Sequence, residues 1–270
     1  MRPKISRLMT RGYTWLCGRE LSANLLHFQF LPSHYFRRHL RQDAGELQGR
    51  LLDVGCGNQP YRPHLPRVTF YIGLDYPTTQ ALQDFHTRPE VYGDARRLPF
   101  ADGSFDAILC AQVLEHVNQP AAVLREISRV LKPGGAGILS VPFIYNVHVG
   151  PYDFFRFSPY GLQELLQQAG LRLKILRYQG GVGTAVVQLV HNWVFSGLAR
   201  LSRRGAWGAL LGGLALPFLL IWCALNNLAA LAVDRLDIDT PRFSPNLWVV
   251  FQKEDRSATV SQAEALPETA

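Results

Sequence analysis

The residues best suited to chemistry lie where three apolar runs end in small or acidic residues. Leu51-Leu-Asp-Val-Gly-Cys-Gly-Asn-Gln-Pro60 is an apolar strand running into a turn with two glycines. Without side chains at Gly55 and Gly57, backbone amides there can approach a ligand closely. Asp75 closes the next run, Tyr71-Ile-Gly-Leu-Asp75, about twenty residues on, where a carboxylate can accept both hydroxyls of a ribose. Gly93-Asp94-Ala95 ends a third run, where a carboxylate could accept from an adenine amino group while the next amide donates to the ring. The glycine turn alone equally describes a strand-to-helix turn that binds nothing. The three endings in order predict a bound nucleoside.

A second concentration is the loop Pro142-Phe-Ile-Tyr-Asn-Val-His-Val-Gly-Pro-Tyr-Asp-Phe-Phe-Arg-Phe157, which crowds aromatics around one histidine, one aspartate and one arginine. It reads as a lid over a substrate. His148 is the first candidate base because an unperturbed imidazole titrates near neutrality. Asp153 and Tyr152 follow, while Tyr145, His148, Tyr152 and Arg156 form the candidate substrate-binding set, Arg156 suiting an anionic group. The competing reading makes Asp153 and Arg156 a salt bridge that anchors the loop, with His148 as polar filler. Glu115-His116 reads equally as a wall of the site or as a surface pair, and Lys132-Pro-Gly-Gly135 as a turn between helix and strand. Cys56, between two glycines, is expected to pack and not to act as a nucleophile.

These residues need a scaffold that brings successive strand ends to one edge. Short apolar runs over Arg50–Val54, Phe70–Leu74, Glu90–Tyr92, Phe105–Leu109, Ala136–Val141, Leu171–Arg177 and Leu247–Phe251 predict seven strands. Helical patterns alternate with them: one follows Ser33, one spans Pro120–Leu131, and one begins at Ser158 as N-cap and closes at Gly170. Strands alternating with helices predict an α/β fold with a doubly wound, mostly parallel sheet.

On four words the chain resembles the class I S-adenosylmethionine-dependent methyltransferases, in their small-molecule, type 11-like branch. They are Leu-Asp-Val-Gly-Cys-Gly at the first strand, Gly-Asp-Ala-Arg-Arg-Leu-Pro-Phe-Ala-Asp-Gly-Ser-Phe-Asp across the third and fourth, Val-Leu-Glu-His-Val after the fourth and Leu-Lys-Pro-Gly-Gly before the fifth. The resemblance covers roughly residues 51 to 177 and implies a Rossmann-like fold with S-adenosyl-L-methionine as cofactor. It would place Asp53, Gly55 and Gly57 around the methionine part, Asp75 at the ribose, and Asp94 with Ala95 at the adenine, with Cys56, Tyr76 and Gln112 completing the cofactor-binding set. Where the family usually has a third small residue, this chain has Asn58-Gln59-Pro60, with Pro63 and Pro66 close behind. The helix after the first strand is therefore expected to be short or displaced. The same departure argues against a nicotinamide-dependent oxidoreductase, whose third glycine is needed for helix packing.

Composition bounds the rest. The 270 residues are 47% hydrophobic and 18% charged, enough to bury a good-sized core with an appendage. Cys17, Cys56, Cys110 and Cys223 are scattered, with no CxxC pair and no clustered histidines in sequence, so neither disulfides nor a metal site is expected and a reducing cytoplasmic setting fits. The N-terminus is basic but lacks the apolar core and cleavage site of a signal peptide. The net charge of +7 fits nucleic acid, an anionic membrane or an acidic substrate; its position beside an apolar insert favours the membrane. Ala206–Val233 carries no charge, and as a helix would extend about 42 Å against a bilayer core of about 30 Å. A second uncharged stretch, Tyr178–Ala199, precedes it across Arg200, Arg203 and Arg204.

If the last two strands share the sheet, both ends of this insert lie on the same side. A helical hairpin lying in or dipping into the cytoplasmic leaflet then satisfies the topology, with its arginines at headgroups. A soluble cap or a dimer interface is the alternative. The expected organisation is a basic helical segment over 1–49, a cofactor-binding core over 50–179, the apolar insert over 180–240, the last strand over 241–253 and a solvated tail over 254–270. The expected function is methyl transfer at a membrane surface to a small, lipid-like or lipid-linked acceptor. A non-catalytic cofactor-binding or scaffold protein is the alternative, and an RNA methyltransferase a weaker one, since no RNA-binding module is visible and no nucleic-acid partner is expected.

Overall fold

A computed structural model describes residues 13, 16–18, 20–77, 89–202, 204–236 and 240–255. Arg2, Lys4, Arg7, Arg11, Arg19, Arg203 and the tail from residue 256 onward lie outside them. The chain forms two compact units, one of residues 41–141, 148–177 and 247–270, the other of residues 1–40, 142–147 and 178–246.

The first unit is built on a seven-stranded sheet in the order β3-β2-β1-β4-β5-β7-β6. The strands are β1 (Gly49–Val54), β2 (Val68–Asp75), β3 (Val91–Tyr92), β4 (Phe105–Ala111), β5 (Leu131–Pro142), β6 (Leu171–Tyr178) and β7 (Asn246–Lys253). β1 pairs in parallel with β2 and β4, β2 with β3, and β4 with β5. The bonds from Gln179 N–H to Asn246 O and from Glu254 N–H to Gly170 O join opposite ends of β6 and β7, so these two run antiparallel. This is the expected doubly wound α/β sheet. Leu51, Leu52, Phe105, Ile108, Leu109, Ile138, Leu139 and Phe251 are fully buried, consistent with the near-continuous apolar runs of a sheet covered on both faces.

The helices bear out their signals. α1 (Phe30–Asp43) precedes β1; α2 (Pro120–Val130) has proline in its first turn and buries Val123, Leu124, Ile127 and Val130; α3 (Pro159–Gln168) is capped by Ser158, whose hydroxyl accepts from Gly161 N–H at 3.1 Å. Between β1 and β2 there is only a single 3-10 turn at Arg62–His64. Pro60, Pro63 and Pro66 lack the amide donors a longer helix would require. The Lys-Pro-Gly-Gly segment, read as a turn, lies within the bounds of β5, with Gly134 at φ +73° and a register shift against β4.

One buried ion pair ties helix to sheet. Asp43, 4% exposed, accepts from both Arg177 Nε (3.0 Å) and Nη2 (2.9 Å) and from the indole of fully buried Trp248 (2.9 Å). Asp43→Ala strands a buried indole N–H and the guanidinium together. Because Arg177 is partly solvated, the expected loss is about 2–3 kcal/mol, below the full cost of breaking a buried pair; urea unfolding measures it.

The second unit contains α4 (Val182–Ser202) and α5 (Ala206–Asp234), packed against each other. Asp234, at the end of α5, accepts from Thr184 N–H (3.1 Å) and the Thr184 hydroxyl at the start of α4, and from the Tyr35 hydroxyl (2.9 Å), which makes the pair an antiparallel hairpin. Its polarity is inverted. Thr184, Gln188, His191, Asn192 and Asn227 are buried, whereas Trp193 (73%), Trp207 (79%), Leu214 (62%), Phe218 (75%) and Leu225 (62%) are exposed. The buried polar groups bond inward: Asn227 Nδ2 to the Leu25 carbonyl (2.8 Å), His191 Nδ1 to that of Phe28 (3.1 Å), and Gln188 through Asn192 to Asn146 (2.9 and 2.6 Å).

Candidate functional site

The three acidic strand endings come to one edge because β1, β2, β3 and β4 are parallel neighbours. Register pairs Val54 with Leu74 and Cys110, and Asp75 with Tyr92. Ligands in such sheets bind beyond the carboxyl ends of the strands, where the order reverses, here between β1 and β4.

The glycine turn is fastened to β2, with Gly55 N–H and Cys56 N–H both donating to Leu74 O (2.8 and 3.1 Å). Gly55 sits at φ +73°, and a Cβ there would meet Val113 Cγ2 at 2.3 Å, so only glycine lets the turn pass under the segment after β4. Gly57, at φ +52°, has nothing within 4 Å of where a Cβ would stand, which leaves the backbone open to a ligand. Asp75, 4% exposed, accepts from Gly57 N–H at 3.0 Å and Tyr76 N–H at 2.7 Å. Its position couples the turn to the expected ribose contact. Tyr76 is exposed beside it.

Asp94 pairs with Arg96 (2.6 Å), whose hydrogen bonds hold its carboxyl below the usual range, and Ala95 is buried next to it. Gln112, at φ +56° just past β4, bonds Ser140 twice, amide to carbonyl at 2.7 Å and side chain to hydroxyl at 3.0 Å. Gly57, Asp75, Asp94, Ala95 and Gln112 thus lie at or just beyond the carboxyl ends of β1, β2, β3 and β4.

Asp53, expected near the methionine part, stands in β1 just before the turn. It is 1% exposed, and its carboxylate takes the hydroxyl of Tyr71. Burial pushes its carboxyl up to about 7, against the Tyr71 hydrogen bond and with repulsion from Asp75 and Glu90 added. It supports the turn from beneath. Because the folded value is raised, the folded state binds the proton more tightly than the unfolded chain. The associated stability is complete below about pH 4 and is lost as pH rises through about 7. Asp53→Asn should therefore gain stability relative to the native chain over that window, read by urea melts at pH 4, 5.5 and 7.5. Cys56 is buried, its thiol is pushed well up by burial, and its sulfur packs against Gly73; it is no nucleophile.

Glu90, missed in the sequence, supports the same edge: its carboxylate takes Gly73 N–H (2.7 Å), Gln59 Nε2 (2.8 Å) and Arg62 (3.1 Å). Its only signal was an acid entering a strand opposite a proline-broken loop.

On the substrate side, Asp153 (side chain 1% exposed) is bonded by Arg156 at 2.6 and 2.7 Å and by His148 N–H at 2.7 Å. Burial raises its carboxyl, but these bonds and the charges of His148 and Arg156 outweigh it and hold it at about 2. A carboxylate so engaged anchors the loop and is a poor base. Arg156 is correspondingly committed to Asp153, not presented to an anionic substrate. His148 Nδ1 stands 3.3 Å from Asp153 Oδ2, and the Tyr152 side chain is exposed. Tyr145 belongs to the second unit, where Gln29 Nε2 reaches its hydroxyl at 3.5 Å. Glu115 is not part of a surface pair: it is fully buried, and burial lifts its carboxyl to about 8. His116 donates Nδ1–H to the Tyr152 carbonyl (2.6 Å).

Comparison with known proteins bears on this geometry. Residues 52–139 match the family model described as "Methyltransferase domain". The chain is 30% identical over 59% of its length to a probable S-adenosylmethionine-dependent methyltransferase of Mycolicibacterium smegmatis, covering 68% of that protein. It is 32% identical over 59% of its length to a demethylmenaquinone methyltransferase of Staphylococcus haemolyticus, covering 83% of it. An uncharacterized chloroplastic methyltransferase of Arabidopsis thaliana is 31% identical over 46% of this chain, which spans only 38% of that protein's length. A solved structure of a putative sarcosine dimethylglycine methyltransferase from Galdieria sulphuraria shares the fold at TM-score 0.50 and 21% identity, over 83% of this chain and 87% of that one. The chain therefore belongs to the class I S-adenosylmethionine-dependent methyltransferases of the type 11-like branch, with S-adenosylmethionine as its cofactor.

Proposed function

We propose that the protein transfers a methyl group from S-adenosylmethionine to a lipid-like or lipid-linked acceptor at a membrane surface. The observation that carries the membrane part is the polarity of the α4–α5 hairpin, which buries Thr184, Gln188, His191, Asn192 and Asn227 while leaving Trp193, Trp207, Leu214, Phe218 and Leu225 exposed. In water that arrangement leaves several large apolar side chains of one hairpin exposed, the mark of a membrane or partner face; in lipid it is the expected one. Both helices are long and apolar enough to enter a bilayer. The Staphylococcus haemolyticus relative, named for a demethylmenaquinone acceptor, supports an acceptor that is a ring carrying a prenyl chain.

The bound cofactor supplies an electrophilic methyl on a sulfonium, displaced in line, so the protein's task is alignment of the acceptor. Asp75 and the Gly55–Gly57 turn would hold the nucleoside and amino-acid ends, with Ala95 and Gln112 at the adenine side. Asp153, fixed by Arg156, orients the His148 ring. An imidazole so held has two possible tasks: taking a proton from the acceptor, or ligating a metal.

The test is to incubate the purified chain and methyl-labelled S-adenosylmethionine with membrane lipids, soluble metabolites and RNA in separate reactions. Label is expected in the lipid fraction. Label confined to soluble metabolites or to RNA overturns the acceptor class, and cofactor binding with no label anywhere leaves a binding protein in place of an enzyme.

A further inference from the structure

Glu115 and His116 lie in the 3-10 turn after β4, and His148 in the loop after β5. Because β4 and β5 are parallel neighbours, these segments leave the sheet side by side and three residues far apart in sequence converge. One potential ligand atom from each lies within 4.8 Å of those of the other two. The two imidazoles meet edge to face with centroids 4.8 Å apart.

Two further features separate this cluster from a chance grouping. Glu115 is fully buried, yet neither of its carboxylate oxygens accepts a hydrogen bond from another residue, although the charge of Arg156 acts on it; His116 Nε2 stands 3.8 Å from Oε1. A buried carboxylate without hydrogen bonds is costly unless it is paired or coordinates a metal. The His116 imidazole, moreover, is held from behind, and a carboxylate stands behind that of His148. In the tautomer where His116 Nδ1–H donates to the Tyr152 carbonyl at 2.6 Å, Nε2 carries its lone pair toward Glu115. His148 has Asp153 at 3.3 Å from Nδ1. Histidine ligands of metals are oriented by a carbonyl or carboxylate on the other nitrogen in this manner.

We propose that Glu115, His116 and His148 bind a divalent first-row transition ion, with the remaining coordination positions open to oxygen donors. One carboxylate and two imidazoles are the donor set of three-ligand zinc sites and of non-haem iron sites, whereas Mg²⁺ and Ca²⁺ favour all-oxygen sets. At ligand distances of about 2.1 Å in tetrahedral geometry, donor atoms stand about 3.4 Å apart. Glu115 and His116 nearly meet that spacing, and closure falls to the His148 loop. His148 would then be a ligand, and a bound acceptor would present an oxygen. Only this last step rests on the methyltransferase reading; metal binding is measured without cofactor or acceptor.

The experiment strips the full-length chain with chelator and titrates it with Zn²⁺ by calorimetry and with Co²⁺ by visible absorption, using Mg²⁺ and Ca²⁺ as controls. One ion per chain is expected for Zn²⁺ and Co²⁺, with a tetrahedral or five-coordinate cobalt spectrum and a raised melting temperature. Glu115→Gln and His148→Ala should each weaken binding by about 100-fold or more. The first replaces a buried carboxyl, held largely protonated in the metal-free chain, with a neutral group of the same size, so it should melt close to the stripped native chain; if it fails to fold, His116→Ala, at a partly exposed position, takes its place. Absence of saturable binding, or equal binding in these variants, overturns the proposal. Failure of the labelling assay alongside intact metal binding would count against the acceptor reading only.

Discussion

Replacing Asp75 with alanine is expected to weaken S-adenosylmethionine binding by about 10²- to 10⁴-fold. Each hydrogen bond from a ribose hydroxyl to a carboxylate contributes about 1.5–3 kcal/mol, and two are at stake. Asp75 also carries a structural load: its oxygens receive Gly57 N–H at 3.0 Å and Tyr76 N–H at 2.7 Å. Without it the glycine turn loses its link to the end of β2, and the amide meant for the ligand loses its orientation. Asp75→Asn keeps one acceptor but sets an NH₂ against groups that are themselves donors, so an intermediate loss, at least about tenfold, is expected. Asp102→Ala, at a side chain 80% exposed whose partner Arg129 also bonds Glu126, should leave affinity unchanged. Calorimetry with S-adenosylmethionine and with its demethylated product separates the three. Native affinity in Asp75→Ala would remove the assigned site.

The fold and the strand endings that share one edge were legible because the relevant signals are local. A strand that ends in Gly-Cys-Gly, or in Leu-Asp, declares its own ending, and the strand–helix alternation fixes which endings share an edge. The proline-broken exit of β1 was legible for the same reason, since Pro60, Pro63 and Pro66 act on their own backbone. The partner of Asp53 was not legible, because a strand pattern gives the side chain's face but not what it meets, here Tyr71 on the neighbouring strand. The convergence of Glu115 with His148 was hidden in the same way: each segment reads as an ordinary loop, and only the β4–β5 register joins them. Glu90 gave almost no signal, its importance resting on three donors contributed by two other segments. The hairpin was readable from charge-free length, but its inverted polarity was not, because Gln188, Asn192 and Asn227 look like ordinary helix-surface residues until their partners are known.

That inverted polarity sets the second large effect. Leu214 and Phe218 are 62% and 75% exposed on α5, one turn apart on the outward face. If this face enters lipid, replacing both with aspartate changes the insertion energy by about 3 kcal/mol at each position, from the favourable values of Leu and Phe to the unfavourable value of Asp. The summed effect, about 6 kcal/mol, corresponds to about 10⁴-fold in partitioning. The native chain should therefore float with vesicles containing anionic phospholipid, and Leu214→Asp/Phe218→Asp should remain at the bottom of the gradient. The substitutions leave the inward bonds of Asn227, His191 and Gln188 untouched, so helix content by circular dichroism should not change. Salt provides an independent check. Arg200 and Arg204 flank the hairpin's connection, and each basic residue near headgroups contributes about 1 kcal/mol. High salt should thus weaken native binding by about 30-fold at most and leave the apolar part intact. Brominated lipids should quench the exposed Trp193 and Trp207 in the same preparations. A native chain that stays monodisperse without detergent and does not float would sink the membrane reading, and a detergent-free dimer broken by the same double substitution would identify this face as a contact between copies.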